Sequence, residues 1–368
     1  MLDSRPMPEL APRDRRPQRV ALLPGDGIGP EVVGAAEAVL RAAIRRYDLP
    51  LELKTLAWGA EHYLTTGETL PEGALERLRG EFSAILAGAF GDPRVPSNVH
   101  ARDILLGLRF GLDLYVGFRP VRLLDPRLCP LRGRSPAEVE MVVFRESTEG
   151  AYVGMGGTFK RGTPEELAVD EAIHTRRGVE RILVAAFEHA AATPGRRLCL
   201  AHKANALEHG HGLWRRCFDE LAERYPAVEA RAAHADVVAL EMVAAPQRFD
   251  VIVADNLYGD LLSDIGAALQ GGPGIAASAN LHPGRPGLFE PVHGSAPDLV
   301  GSGRANPVAT VLSAALMLRD LGHEAAATAI EEAVRQSLLA GSTTPDLGGS
   351  ETTENVTKRL LADLWEGI

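Results

Sequence analysis

The sequence alternates between strand-like and helix-like segments, and this alternation constrains the fold more than any other feature. Residues 19–24 (RVALLP) form a short apolar run typical of a buried strand, and residues 30–47 have helical periodicity with Pro30 in the first turn. Further strand-like runs lie at 51–58, 82–91, 138–146, 196–204 and 248–256, and helix-like runs at 71–80, 176–191 and 208–225. The pattern predicts an α/β protein with a largely parallel sheet.

The composition limits the classes of protein to which the chain can belong. Its 368 residues suit two average domains or one large two-lobed enzyme, and a net charge of -10 disfavours nucleic-acid binding. The apolar runs are too short for a membrane span, and three widely separated cysteines suit the reducing cytoplasm. Residues 1–17 are rich in Pro, Arg and Asp, which predicts a disordered tail. We therefore expect a cytoplasmic protein that binds neither membranes nor nucleic acids.

The segment LLPGDGIGPEV (22–32) carries part of a dinucleotide-binding fingerprint. Gly25 and Gly27 occupy the first two positions of G-x-G-x-x-G after a strand, but the third position is Pro30. A proline ring does not allow the close helix packing for which that glycine is needed, and the stretch where an acidic residue is expected is mostly basic. The pattern favours a tight strand-to-helix turn.

Two aspartates follow the strand-like run 248–256. Ligands of open α/β sheets bind beyond the carboxyl ends of the strands, so polar residues there are candidates for function. Asp260 and Asp264 are four residues apart, on one face of a helix that we expect to begin near Leu257. They are either acidic residues stabilised near a helix N-terminus or oxygen ligands of Mg²⁺ or Mn²⁺.

Basic residues also lie at predicted strand and helix ends. Arg109, Arg119 and Arg145 are either solvated surface residues or bidentate clamps for carboxylates. Lys203 follows an apolar strand, where a lysine is either solvated or, in a cleft, a base.

Two other stretches admit a structural interpretation. His209 and His211 are two residues apart, hence on different faces of a helix, and we interpret them as structural or surface residues. Residues 288–307 are rich in Gly, Pro and small polar residues and predict a long loop, either functional or a surface Ω-loop.

In chain order, these segments resemble the β-decarboxylating dehydrogenases, the family of 3-isopropylmalate, isocitrate, homoisocitrate and tartrate/D-malate dehydrogenases. The likeness extends from Arg19 to the C-terminus and rests on LPGDGIGPE, LRFGLDLYVGFRP, FRESTEGAY, HKAN, YGDLLSDIG, FEPVHGSAPD, ANPVATVLSAALML and TPDLGGSETT. It implies a two-lobed α/β fold with a large mixed sheet, not a Rossmann fold. The first, cofactor-binding lobe would comprise 18–114 plus 271–368, and 115–270 would form the second lobe, for substrate binding and dimerisation.

The resemblance also implies roles for matched residues. The substrate-binding positions are Leu105, Arg109, Arg119 and Arg145. The metal ligands are Asp260, Asp264 and, from the partner subunit of a homodimer or higher homo-oligomer with shared active sites, Asp236. Tyr152 matches the acid that protonates the product, and Lys203 matches a partner-donated residue that assists deprotonation of the hydroxyl group. The cofactor-binding positions are Asn205, Glu290, His293, Gly294, Ser295, Ala296, Asp298 and Asn306.

The implied activity is the oxidative decarboxylation of a 2-hydroxy diacid, a 3-substituted malate. It would use NAD, a Mg²⁺ or Mn²⁺ ion and, as an optional activator, K⁺. NAD is favoured over NADP because the carboxylate of Asp298 can accept hydrogen bonds from free ribose hydroxyls but would repel a 2′-phosphate. A non-catalytic regulatory subunit is the alternative of a different class, but every matched catalytic group is present, which favours an active enzyme.

The residues before Arg109 bear on which substituent the substrate carries. Leu105 and Leu106 suit an alkyl group, and the carboxylate of Asp103 should repel a third substrate carboxylate. Arg102 points instead toward homoisocitrate. We expect 3-isopropylmalate, converted to 2-oxoisocaproate, CO₂ and NADH. Tartrate or D-malate, homoisocitrate or isocitrate, and a related diacid of specialised metabolism remain the alternatives.

Overall fold

The computed structural model describes residues 17–366, and the predicted disordered tail at 1–17 lies almost entirely outside them. Within this range the chain forms one ten-stranded sheet with helices on both faces, and a separate two-stranded hairpin. None of the helices in this range combines the length and the apolar character that crossing a bilayer requires. The α/β prediction and the large mixed sheet implied by the resemblance are confirmed.

The strands alternate with helices along the chain, as the sequence pattern predicts. The strands are β1 (Gln18–Gly25), β2 (Leu51–Thr55), β3 (Ala84–Ala89), β4 (Val116–Arg122), β5 (Glu140–Glu146), β6 (Gly156–Phe159), β7 (Leu167–Asp170), β8 (Arg197–His202), β9 (Glu229–His234), β10 (Val251–Ala254), β11 (Ala277–Leu281) and β12 (Gly287–Pro291). The helices are α1 (Gly29–Tyr47), α2 (Ala60–Thr66), α3 (Ala74–Glu81), α4 (Val99–Gly111), α5 (Arg176–Ala192), α6 (Glu208–Ala222), α7 (Ala235–Ala244), α8 (Asn256–Gln270), α9 (Val308–Asp320), α10 (Glu324–Leu339) and α11 (Thr353–Glu366).

The core lies on both faces of the sheet because strand side chains alternate in direction. In β1, Val20 and Leu22 pack with Val33 of α1, whereas Leu23 packs on the other face with Leu108 of α4. All five side chains are buried. Burial of a side chain of this size contributes about 2 kcal/mol to the free energy of folding. Because β1 buries side chains on both faces, it holds a helix on each side of the sheet.

The direction of the strands reverses in the middle of the sheet, whose order is β2-β1-β3-β12-β11-β4-β5-β10-β8-β9. The pairings β12–β11, β11–β4 and β4–β5 are antiparallel, and the pairings on either side of them are parallel. The carboxyl ends of β1, β3 and β12 therefore lie at one edge, and those of β5, β10 and β8 at the opposite edge. The carboxyl ends of the strands thus do not all meet at one edge, as they would in a wholly parallel sheet.

The expectation of a loop throughout 288–307 is wrong for its first residues. Residues 288–291 belong to β12, which lies between β3 and β11 in the centre of the sheet. Leu288 and Phe289 are fully buried there. A five-residue strand that runs directly into turn residues has too short a pattern to be recognised from sequence alone.

Candidate active site

A cavity of about 280 Å³ lies against β4 and β11, where the strand direction reverses. Its walls come from β3, α4, β4, β5, α8, β11 and the turn after β12. It brings together these residues predicted from the sequence: Leu105, Arg109, Arg119, Arg145, Asp260, Asp264, Glu290, His293 and Gly294. Phe90, which follows β3 and adds an aromatic ring to the same cavity as Leu105, was missed because a single apolar residue after a buried strand carries no functional signal.

The three arginines point positive charge into this cavity. Arg119 is buried on β4, where its guanidinium group donates to the Ala279 carbonyl oxygen and to Asn280 Oδ1, both at 3.0 Å. Burial, together with the charges of Arg109 and Arg145, lowers the pKa of Arg119 to about 9. A bound anion would relieve both effects, so the site is built to receive negative charge.

Arg109 and Arg145 are each held by a polar partner. Arg109 Nη2 donates to Glu290 Oε1 at 2.9 Å, which places Glu290 beside the arginines. Arg145 Nε donates to Asn256 Oδ1 at 2.9 Å, and its Nη1 contacts Asp260. Asn256, the first residue of α8, was not predicted as a site residue. A guanidinium group held in a fixed orientation can donate two parallel hydrogen bonds to one carboxylate.

Asp260 and Asp264 lie one turn apart on α8, both facing the cavity. The helix begins at Asn256, one residue before the expected position, and the Asp255 side chain caps it by accepting the Tyr258 N–H at 3.0 Å. Burial and then the charge of Asp260 raise the pKa of the Asp264 carboxyl. Two carboxylates that repel each other at a cavity wall form an all-oxygen donor set that fits Mg²⁺ or Mn²⁺.

Tyr152 lies beside the two aspartates. Its hydroxyl donates to Asp260 Oδ2 at 3.1 Å, and Arg145 lies over its ring at 5.4 Å. Burial, followed by the Asp260 charge, raises the pKa of Tyr152. The phenol therefore keeps its proton near neutral pH and is able to donate it.

Lys203, Asn205 and Asp236 do not line this cavity. Lys203 Nζ donates to Asp236 Oδ1 at 2.5 Å, and the Asp236 side chain is 65% exposed. The hydrogen bond to Lys203 lowers the pKa of Asp236. Asn205 is exposed as well. Within one chain the structure thus forms a separate Lys203–Asp236 pair at the carboxyl ends of β8 and β9.

A second cavity, of about 420 Å³, adjoins the first at His293, which lines both. Of the predicted cofactor residues, His293, Ala296 and Asn306 line it, whereas Asp298 lies exposed on a short helical turn outside the lining. The carboxylate in the lining is Asp346, whose Oδ2 accepts the Asn306 amide at 2.9 Å. Apolar walls with an amide, a carboxylate and the guanidinium group of Arg304 suit the adenosine half of a nucleotide. Asp346 lies in TPDLGGSETT, so a signal for it was present in the sequence.

The glycine-rich segment forms the predicted tight turn. Gly25 and Gly27 have φ of 71° and 58°, and a Cβ at Gly27 would lie 2.0 Å from the Ser295 carbonyl oxygen. The Ile28 N–H donates to that oxygen at 2.9 Å, and the Asp26 N–H donates to the Ala89 carbonyl oxygen at 2.6 Å. Because these N–H groups are satisfied within the protein, the turn supports the loop after β12 rather than cradling a phosphate.

Comparison with known proteins agrees with the geometry. Residues 19–360 match the model of a family described as isocitrate/isopropylmalate dehydrogenase. The 3-isopropylmalate dehydrogenase of Thermobifida fusca is 48% identical over 325 residues, which cover 88% of this chain and 92% of the relative. That of Streptomyces griseus is 49% identical over 321 residues, covering 87% and 91%.

Solved structures of similar proteins have the same fold. The isocitrate dehydrogenase of Methylococcus capsulatus superimposes with a TM-score of 0.85 at 35% identity, covering 94% of this chain and 99% of its own. A β-decarboxylating dehydrogenase of Thermococcus kodakarensis, in its apo form, gives a TM-score of 0.77 at 37% identity, covering 95% and 96%.

Proposed function

The chain belongs to the isocitrate/isopropylmalate dehydrogenase family, and on that premise we propose that it oxidatively decarboxylates a 3-substituted malate, with 3-isopropylmalate as its substrate. It is an oxidoreductase of a family that in general depends on NAD and a divalent metal ion. The observation that carries the proposal is the convergence of Arg109, Arg119 and Arg145 with Asp260 and Asp264 on one cavity. Three cations suit a dicarboxylate, and two carboxylates suit the metal ion that would bind its hydroxyl group.

We propose a role for each of these residues in the steps of the reaction. When bound, the divalent ion supplies Lewis acidity toward the hydroxyl and carboxylate oxygens, and NAD accepts the hydride. The arginines orient the two substrate carboxylates, and burial of Arg119 keeps water from its carboxylate. Lys203 of a second copy takes the hydroxyl proton, and Tyr152 delivers a proton to the carbon that has lost CO₂.

The position of Lys203 and Asp236 supports a homodimer with shared active sites. The pair lies outside the cavity of its own chain, which agrees with donation of its residues to the cavity of another copy. The helices α7 and α8, which pack against each other, expose Leu240 and Leu261. Large apolar side chains grouped on one part of a surface are typical of an interface between subunits.

The second cavity supports NAD binding by the first lobe, which supplies all the residues that line it. We propose that His293, Gly294, Ser295, Ala296 and Asn306 hold the adenosine half, since this segment borders the cavity or the turn that supports it. Asp298 would exclude a 2′-phosphate, Glu290 would lie toward the nicotinamide with Arg109, and Asn205 would come from the partner subunit.

The walls of the first cavity support an alkyl substituent. Leu105 and Phe90 give this cavity the apolar surface that an alkyl group would contact. The two curated relatives named above are 3-isopropylmalate dehydrogenases at 48% and 49% identity, whereas the superimposed isocitrate dehydrogenase is 35% identical. This comparison favours isopropylmalate over a tricarboxylate.

A substrate panel tests the proposal. NADH formation is followed with NAD and Mn²⁺ and with isopropylmalate, D-malate, tartrate, isocitrate or homoisocitrate as substrate. We expect the highest kcat/KM with isopropylmalate and loss of turnover in Lys203→Met and Asp260→Asn. A higher kcat/KM with another diacid would replace the substrate, and unchanged NADH formation in both variants would refute the mechanism.

A further inference from the structure

A buried group of side chains lies under the first turn of α8, outside both cavities. It consists of His174, His211 and Asp255, whose ligand-type atoms lie within 4.8 Å of one another. His211 and Asp255 are buried, and His211 Nε2 has no hydrogen-bond partner. Neither histidine lines the two cavities, and Asp255 caps the helix. The group has the composition of a metal site. Whether it can bind a metal ion depends on which nitrogens of the two histidines carry a proton.

The hydrogen bonds of the two histidines argue against a metal ion there. His211 Nδ1 accepts the backbone N–H of Lys203 at 3.2 Å, and His174 Nδ1 accepts the Trp214 indole N–H at 3.1 Å. Burial lowers the pKa of His211 to about 4 and also lowers that of His174, so both rings are neutral. A neutral imidazole that accepts at Nδ1 carries its proton on Nε2. The His211 nitrogen that faces Asp255 is therefore an N–H group and not a free lone pair.

The same geometry connects two parts of the catalytic machinery through one ring. On one side, His211 holds the backbone of Lys203 at the turn after β8. On the other side, its Nε2 lies 3.7 Å from Asp255 Oδ2, an electrostatic contact longer than a hydrogen bond. Asp255 caps α8, and α8 carries Asp260 and Asp264 on its next turns. Tyr258 packs edge-on against the His211 ring, at 5.4 Å between centroids.

We propose that His211 is a positioning residue that sets the backbone of Lys203 through Nδ1 and, through Asp255, steadies the helix that carries the metal-binding aspartates. The inference rests on the proposed function. In a dimer with shared sites, the Lys203 turn serves the neighbouring cavity and α8 serves its own, so one histidine joins elements of two active sites. It touches neither substrate nor metal ion, and it acts through the two elements it joins.

Two substitutions of this histidine, His211→Asn and His211→Leu, separate the two contacts. Asparagine has an acceptor one bond from Cγ, where histidine has Nδ1, but nothing that reaches Asp255. Leucine fills a similar volume and makes neither contact. With saturating Mn²⁺ and NAD, we expect His211→Leu to lower kcat about 10- to 100-fold with little change in substrate KM, and His211→Asn to recover most of it.

Mn²⁺ binding to the free enzyme reports the second contact. We expect both variants to bind Mn²⁺ about tenfold more weakly than the wild type, because both lose the N–H that faces Asp255. His323→Leu is the matched control, since His323 is half-buried and lies 2.8 Å from Gln18 Oε1, far from the machinery described above. It should leave kcat and Mn²⁺ binding unchanged, and the Tm of every variant is measured alongside.

Three results would overturn the inference. Wild-type kcat in His211→Leu would remove the positioning role, and so would a loss in His211→Asn as large as in His211→Leu. One zinc ion per chain in the purified protein, lost in His211→Leu, would show that the cluster is a metal site. If the wild type turned over no substrate of the panel, the proposed function would fail instead, and Mn²⁺ binding would decide on the link to α8.

Discussion

At the scale of single residues, ionisable groups with shifted pKa values mark the candidate active site. The lowered pKa of Arg119 has burial as its main cause, with Arg109 and Arg145 adding repulsion, and the raised pKa of Asp264 combines burial with the charge of Asp260. Such arrangements cost stability unless a ligand of opposite charge binds. The environment of the cavity disfavours the charged forms of Arg119 and Asp264. We take this as support for the binding of an anionic substrate and a cation.

The apolar wall of the cavity predicts the effect of shortening Leu105. Leu105→Ala removes the aliphatic contact for the substituent, so we expect kcat/KM for isopropylmalate to fall about tenfold while that for D-malate changes little. Steady-state kinetics with both substrates measures the ratio. Leu106→Ala is the control, because Leu106 is also half-buried on α4 but does not line the cavity. An equal loss with both substrates would argue against contact between Leu105 and the substituent.

Cofactor choice depends on which carboxylate meets the ribose. Asp298 is exposed, whereas Asp346 lines the cavity and accepts a hydrogen bond from Asn306. We expect Asp298→Asn to raise the NADP-to-NAD ratio of kcat/KM about tenfold by removing repulsion of a 2′-phosphate. Asp346→Asn should raise the KM for both cofactors and leave that ratio unchanged. The opposite pattern would transfer the discrimination to Asp346, and a wild-type preference for NADP would refute the role of Asp298.

At the scale of elements, a buried network of ion pairs joins the end of β4 to the helices α9 and α10. Glu331 of α10 accepts from Arg319 of α9 at 2.6 Å and from Arg122 of β4 at 2.9 Å. The Glu331 side chain is 10% exposed. Burial by itself would raise the pKa of Glu331, but the hydrogen bond and charge of Arg319 and the charge of Arg122 outweigh it and lower the pKa.

This network predicts the stability of a Glu331→Gln variant. Loss of the carboxylate leaves two arginines underpaired, so we expect unfolding to become easier by about 3 kcal/mol at neutral pH. Because the folded-state pKa is lowered, this contribution is present above the ordinary value of 4.5 and is lost as the pH falls through the lowered value. The variant should therefore lack this part of the acid destabilisation, which denaturant titrations from pH 7 to pH 3 measure.

A matched control lies on the same network. Glu324 also accepts from Arg319, at 3.0 Å, but its side chain is 49% exposed. Glu324→Gln should cost less than about 1 kcal/mol, since solvent screens an exposed pair. Equal losses in the two variants would show that burial does not set the strength of the network.

At the scale of the whole molecule, the proposal of shared active sites predicts the activity of mixed dimers. Lys203→Met leaves Asp260 and Asp264 of its own cavity intact, and Asp260→Asn leaves the lysine intact. If Lys203 acts in the neighbouring cavity, a mixed dimer has one complete site and one site with both defects. Two inactive variants that are unfolded together and refolded should then regain about one quarter of the wild-type activity.

The outcome discriminates between the two placements of the lysine. If Lys203 served its own cavity, each site of the mixed dimer would contain one defect and no activity would return. Separate refolding of each variant controls for recovery without exchange of subunits. Size-exclusion chromatography of the mixture confirms that dimers have formed.

The two lobes remain a proposal about the whole molecule. Residues 18–114 plus 271–368 would form the first lobe and 115–270 the second, and the antiparallel pairing of β11 with β4 is the seam where they would join. The candidate active site lies at this seam, with residues from both sides. Hydrogen exchange should then change together within each lobe on substrate binding, with the strongest protection at β11 and β4.

The sequence by itself determined what depends on near neighbours along the chain. Helical periodicity predicted α1 to within one residue, the spacing of Asp260 and Asp264 placed both on one face of α8, and Pro30 argued for a tight turn at the glycine-rich segment. Each of these follows from contacts within a few residues, where propensity and spacing act directly. The ordered motifs also sufficed to indicate the family.

Only the tertiary structure decided what depends on contacts between distant segments. The reversal of strand direction at β11–β4, the central position of β12, and the hydrogen bond between Lys203 and Asp236 all follow from pairing and burial across long stretches of chain. The role of His211 is of the same kind, because its ring lies between a lysine backbone and a helix cap that no periodic pattern connects. Such contacts are selected by the free energy of the whole core, and no short window of sequence contains it.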